Sequence, residues 1–162
     1  MKNSILSIFV LLLLLTACGP NEEEKFEQQI RARAIEYFAT YQKRDDWNKF
    51  LSFYHPMVTF EDVALRTRTR GIEDFKEFYN WPDSNFQKIN PLQKHLELQD
   101  LVTQDSLVVA RGHFNPFYWH GEKQEWTGGF TIWLYFDKEL RIRHQVDHIQ
   151  YPASVILSAR RD

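Results

Sequence analysis

The sequence predicts an α+β fold, a cone-shaped roll in which three N-terminal helices pack on a curved antiparallel sheet. Three observations predict it. Apolar residues recur at helical spacing up to Tyr79, they alternate with period two from Gln93 onward, and the alternating segments are joined by turns too short for crossover connections. Helices that cover one face of a bent sheet leave a concave mouth at the other end, and such a mouth is a natural ligand site.

The first helix opens at Asn21, a side chain that caps helices, with Glu24 placed to reach back as in a capping box and Glu22 to Glu24 facing the positive end of the dipole. Phe26, Ile30, Ala34, Tyr37, Phe38 and Tyr41 then mark one apolar stripe to about Gln42. A second helix is capped by Asp45 or Asp46, carries Trp47, Phe50, Leu51 and Tyr54 on one face, and ends at His55-Pro56. Val58, Phe60 and Asp62 alternate with Thr59 and Glu61 as a short strand. The alternation Arg66-Thr67-Arg68-Thr69-Arg70 reads as a solvated edge strand or loop, since edge charges discourage strand addition. After Gly71, the positions Ile72, Phe75, Phe78 and Tyr79 form a third short helix that stops at Trp81-Pro82, and residues 83 to 92 read as a polar loop.

Four strands follow, near 93 to 103, 106 to 118, 123 to 136 and 140 to 150, with turns at Gln104-Asp105, His120-Gly121-Glu122 and Asp137-Lys138-Glu139. Their short connections imply an antiparallel meander. Asn115-Pro116 should bend the second strand, because proline donates nothing to the ladder, and Gly128-Gly129 should bend the third.

The N-terminus carries Lys2, an apolar run from Ile5 to Leu15 broken only by Ser7, and then Thr16-Ala17-Cys18. Crossing a bilayer core takes about 20 apolar residues, so this run reads as a secretory signal rather than a span. The small residues before the cysteine resemble the lipobox of bacterial lipoproteins. That resemblance implies a signal peptide over residues 1–17, a lipidated Cys18 opening a short tether over 18–22, and a folded domain over 23–162. It also implies an envelope location, with the outer membrane favoured over the inner because Gly19 is not aspartate, and the domain in the periplasm or at the cell surface. Cys18 is the one cysteine, so its acylation would leave no thiol for disulfides or catalysis.

Removal of the signal takes only Lys2 from the 20 basic residues, leaving 19 against 22 acidic ones. That balance argues against nucleic acid as a partner, which needs a basic stripe. The 25 aromatic residues predict a large aromatic interior or an aromatic-lined cavity. They spread over both faces of the meander, so one sheet face is suited to pairing with a second copy. No metal is expected. His144 and His148 share a strand face but lie about 13 Å apart, too far for one ion; a cross-strand site from His95, His113 and a carboxylate remains geometrically open.

The order of elements over residues 23 to 153 resembles the nuclear-transport-factor-2-like superfamily, and within it the SnoaL-like polyketide cyclase and limonene-epoxide-hydrolase branch. The resemblance rests on Val58-Thr59-Phe60-Glu61-Asp62, on Gly71-Ile72-Glu73-Asp74-Phe75 and on Val146-Asp147-His148. The superfamily includes isomerases, cyclases, dehydratases and epoxide hydrolases as well as binding and scaffold proteins, so fold alone does not choose among them. The epoxide-hydrolase pattern puts a polar residue where Asp62 stands, an arginine and an aspartate where Arg111 and His113 stand, and an aspartate where Asp147 stands. His113 departs from it.

Those residues give the catalytic candidates. On one strand face, Arg111 could pair with Asp147 and hold it ionised while His113 acts as acid or base. The simpler reading of the pair is a structural ion pair under the sheet. Asp62 is the second carboxylate, and Phe60, Tyr41 and Trp133 join it as ligand-binding candidates. The expected ligand is a small, partly apolar organic molecule, handled without a cofactor by a lyase, isomerase or hydrolase, or merely bound by an interaction module of the envelope.

Overall fold

The computed structural model describes residues 21–159, so the signal-peptide and Cys18 expectations lie outside the described residues. Helix α1, Glu22–Lys43, starts with the reciprocal cap foreseen at Asn21: its side chain accepts from the Glu24 N–H at 2.8 Å, and the Glu24 carboxylate accepts from the Asn21 N–H at 3.1 Å. It ends at Arg44, whose left-handed backbone (φ 49°) turns the chain sharply. Helix α2 covers only Trp47–Leu51, one turn shorter than the spacing suggests. The sheet wins there, because Ile142 donates to the Phe53 carbonyl at 2.8 Å and Tyr54 is already in register with Ile142. Helix α3, Ile72–Tyr79, follows Gly71, whose φ of 89° is a conformation that side-chain-bearing residues rarely adopt.

Among the described residues there are nine strands: β1 Tyr54–Asp62, β2 Thr67–Arg70, β3 Phe86–Lys88, β4 Leu96–Gln104, β5 Leu107–Phe114, β6 Phe117–Trp119, β7 Glu122–Gln124, β8 Gly129–Phe136 and β9 Ile142–Ile149; a further helix, α4, spans Ala153–Ser158. The main sheet has the order β2-β1-β9-β8-β5-β4. Four of its pairings are antiparallel, and β1 runs parallel to β9. The meander is therefore as expected, but the first strand joins it through a nonlocal parallel contact that periodicity does not reveal.

The break at Asn115-Pro116 divides the expected second strand into β5 and β6. Beyond the break β6 leaves the main sheet and forms a small one, β3-β6-β7, which recruits Phe86–Lys88 from the segment expected to be loop. The glycine pair divides the third strand likewise, into β7 and β8, where a Cβ on Gly128 would meet Gln150 at 2.4 Å. Among the described residues no helix is long and apolar enough to cross a membrane.

The inner sheet face and the helices enclose an aromatic core. Phe50 is fully buried and stacks on Trp81 at 4.0 Å between centroids, with Tyr37, Tyr54 and Tyr79 within 5.6 Å. Full burial of such a side chain contributes about 1.5–3 kcal/mol. On β5 the inward set is Val108, Ala110, Gly112 and Phe114, so the intervening Arg111 and His113 face outward.

Candidate functional site

Between the open end of the main sheet and the small sheet lies a cavity of about 320 Å³. Its walls are mostly aromatic: Tyr41, Phe78, Tyr79, Phe86, Phe114, Phe117, Trp119, Trp126 and Tyr151, closed on one side by Leu65, Ile149 and Val155. Besides the tyrosines and tryptophans, four polar side chains line it: Asp147 from β9, Arg44 from the end of α1, His95 from the entry to β4, and Gln124 from β7.

Asp147 is 1% exposed and takes part in none of the ion pairs among the described residues. One carboxylate oxygen accepts from the Tyr79 hydroxyl at 2.6 Å and the other from the Gln145 amide at 2.8 Å. Gln145, also fully buried, donates to the Tyr79 oxygen at 2.6 Å and accepts from Tyr54 at 2.7 Å; the Tyr54 and Tyr37 hydroxyls lie 2.9 Å apart. A chain of buried tyrosines and one amide thus fixes the carboxyl group. Burial pushes the Asp147 pKa up to about 7; the bonds from Tyr79 and Gln145 pull it part of the way back, and nearby Asp62 adds repulsion.

Asp62 is the register partner of Asp147 on the neighbouring strand. It is buried, accepts from the Leu65 N–H at 2.8 Å and from the Tyr151 hydroxyl at 2.6 Å, and its pKa is raised by burial. Tyr151 lines the cavity, so Asp62 reaches it through that hydroxyl.

Tyr41 lines the cavity, whereas Phe60 lies behind the wall, packed on Phe78 at 4.7 Å and on Tyr79 at 5.5 Å. Arg111, His113 and Trp133 are on the opposite sheet face. Arg111 bonds Asp100 at 2.9 Å instead of Asp147, His113 approaches Gln99 at 3.4 Å, and Trp133 packs beside His148 at 5.9 Å. The expected Arg111–Asp147–His113 constellation is thereby corrected: strand alternation puts Gly112 on the core side of the sheet and sends both neighbours to the other. The open question of a His95–His113 metal site closes the same way, since His95 is buried within the aromatic wall and His113 faces out. Among the described residues no three potential ligands of His, Cys, Asp or Glu cluster.

Tyr79, Gln145 and Tyr151 were not singled out from the sequence as site residues, and neither was Arg44. Tyr79 reads as helix core, and only the fold reveals that its hydroxyl meets β9. Gln145 carries a local signal, a polar residue two positions before Asp147 on the same strand.

Together these features define a class: an α+β cone with a deep aromatic cavity and a protonatable carboxyl group inside it. The chain belongs to the SnoaL-like domain family, whose model matches residues 34–143. Its fold is similar to that of a Shewanella putrefaciens CN-32 protein bearing the provisional name of SnoaL-like polyketide cyclase, at 19% identity and TM-score 0.62 over 80% of this chain and 96% of that one. It is also similar to a Kribbella flavida DSM 17836 protein provisionally named a ketosteroid isomerase (17% identity, TM-score 0.57, 78% of this chain and 81% of that one). A third similar structure is a steroid delta-isomerase of Pseudomonas aeruginosa (13% identity, TM-score 0.55, 82% and 86%). A comparison with curated protein sequences found no match.

Proposed function

We propose that this domain binds a small, partly apolar organic molecule in the aromatic cavity and moves a proton on it with Asp147, without a cofactor. The observation that carries the reading is a cavity-lining carboxyl group with a pKa of about 7, held by Tyr79 and Gln145. A general base is most effective when its pKa lies near the working pH, because both protonation states are then populated. In the base step the carboxylate takes a proton from a carbon lying between a carbonyl and a carbon–carbon double bond, leaving a dienolate; returning that proton to the far carbon of the dienolate shifts the double bond into conjugation with the carbonyl and restores the carboxylate. The isomerase names of two of the similar structures are consistent with such chemistry.

The lipobox-like Thr16-Ala17-Cys18 supports a lipid-anchored envelope location for this activity, toward the outer membrane, and the outward sheet face with Trp133, Tyr135 and His144 is where a second copy would pair. A purely non-catalytic interaction module is the competing reading. It is less well supported, because the aromatic side chains line the cavity without filling it.

The test is proton exchange into 2-tetralone, a bicyclic ketone with acidic C–H bonds, followed in D2O by NMR with the full-length chain. Deuterium incorporation should exceed the buffer rate by about 10²-fold or more, fall to the buffer rate in Asp147→Asn, and persist in His113→Ala. Equal rates with and without the protein reject the catalytic reading.

A further inference from the structure

Arg44 is unlike the other arginines of the described chain. Arg33, Arg68, Arg111 and Arg141 each pair with a carboxylate at the surface, and Arg31, Arg66, Arg70 and Arg143 are exposed. Arg44 instead lines the cavity and takes part in none of the ion pairs among the described residues. Its guanidinium lies 4.0 Å from the Phe86 ring centroid and 5.2 Å from that of Trp81, which fixes its plane against aromatic faces. Stacking satisfies the faces of a guanidinium but not its N–H edge. The Arg44 Nε is buried with no hydrogen-bond partner, and Asp83, the carboxylate whose charge it feels, is not within ion-pair distance. Burial lowers its pKa only to about 10, so it stays charged at neutral pH.

The surroundings add to the same demand. His95 shares the Phe86 ring with Arg44 and is buried, and the Trp126 indole N–H, in the cavity wall, is buried without an acceptor. Tyr41 links this end to the other. It packs on Tyr79, which holds Asp147, and on Trp81 and His95, which flank Arg44. The cavity therefore has an acidic end and a cationic end joined by an apolar wall.

We propose that Arg44 is an anion-binding subsite, and that the ligand is an apolar molecule carrying a carboxylate which docks on the free guanidinium edge while its body reaches Asp147. A carboxylate matches the planar N–H fork in two parallel hydrogen bonds. A phosphate dianion fits less well, because its further oxygens would be pressed against aromatic walls. The inference rests on the cavity reading above and names the ligand class for it.

The test compares 2-naphthoate with 2-naphthamide, the same bicycle with and without the charge, as ligands of the full-length chain by isothermal titration and by the shift of the Trp126 indole N–H in NMR. Naphthoate should bind about 10-fold or more tightly than naphthamide, as charge-assisted hydrogen bonds require. That preference should vanish in Arg44→Gln through loss of naphthoate affinity, survive in part in Arg44→Lys, and survive in Asp147→Asn. Equal affinities in the unmodified protein, or a preference that persists in Arg44→Gln, overturn the subsite and leave the cavity reading standing. If neither compound binds, the cavity reading falls and the subsite with it. The unmodified-protein comparison decides the matter even if a variant fails to fold.

Discussion

The two faces of the main sheet are built from neighbouring residues of the same strands, yet they have opposite chemistry. Asp147 faces inward, buried and held by the Tyr79 hydroxyl and the Gln145 amide; His148, the next residue, is exposed on the other side. Gly112 faces inward against Phe130, while Arg111 and His113 on either side of it face water, Asp100 and Gln99. Residue type therefore does not assign a role here. A charged group on the outward face stays solvated, whereas the same group inward must be held by hydrogen bonds and shifts its pKa.

The contrast is broken most severely by filling the inner face. A Cβ at Gly112 would lie 2.1 Å from the Glu97 carbonyl oxygen and 2.6 Å from the Phe130 ring, and the carbonyl belongs to the paired strand and cannot move aside. Gly112→Val is expected to cost more than about 3 kcal/mol, the range of severe core overpacking, or to prevent folding; urea denaturation measures it. A cost under 1 kcal/mol would mean that the inner face is far looser than drawn.

Next in size is Asp147→Asn. The folded-state pKa is raised from 3.8 to about 7, so the native state binds the extra proton more tightly than the unfolded chain does. The stability this gives is full below pH 3.8, is lost as pH rises through about 7, and is absent above it. The asparagine variant escapes that loss, and it should be a few kcal/mol more stable than the parent above pH 7, with a flatter stability profile between pH 4 and 7. Parallel profiles for the two proteins contradict the raised pKa.

Tyr79→Phe should be smaller, about 1–3 kcal/mol for a lost hydrogen bond to a buried carboxylate. Because Tyr79 is the leading group that lowers the Asp147 pKa, its removal should also move the titration midpoint further up, readable by carboxyl ¹³C NMR. On the outward face, Arg111→Ala and His113→Ala should each change stability by less than about 0.5 kcal/mol, as exposed pairs do, and leave naphthoate affinity unaltered. A drop of 10-fold or more in that affinity would return these residues to the site.

The fold was legible wherever contacts are local. The α1 stripe and its cap, the turn-linked strands and the break at Asn115-Pro116 follow from periodicity and backbone chemistry. The parallel β1–β9 contact and the small β3-β6-β7 sheet depend on partners far away in the chain, and no local pattern encodes them. Within the site, Asp147 and Asp62 were singled out from the sequence through short motifs, while Arg111 and His113 were drawn to the wrong face. The signal for their face lies in β5 itself, where Val108, Ala110, Gly112 and Phe114 make the apolar or small set and 111 and 113 the polar one. Arg44 and Tyr79 were illegible for a different reason: each sits at a helix end, and its role comes from what the sheet brings to meet it.

The pairing of β1 with β9 sets Asp62 beside Asp147 across most of the domain's length. Such distant contacts are slow to form, since a long loop must close before they stabilise anything. During synthesis the chain therefore remains without its carboxyl pair until the last strand has emerged and docked. Assembly of the site is in effect a completion signal for the whole domain, and a product truncated before Ile142 would carry Arg44, Asp62 and much of the aromatic wall but neither Asp147 nor Tyr151.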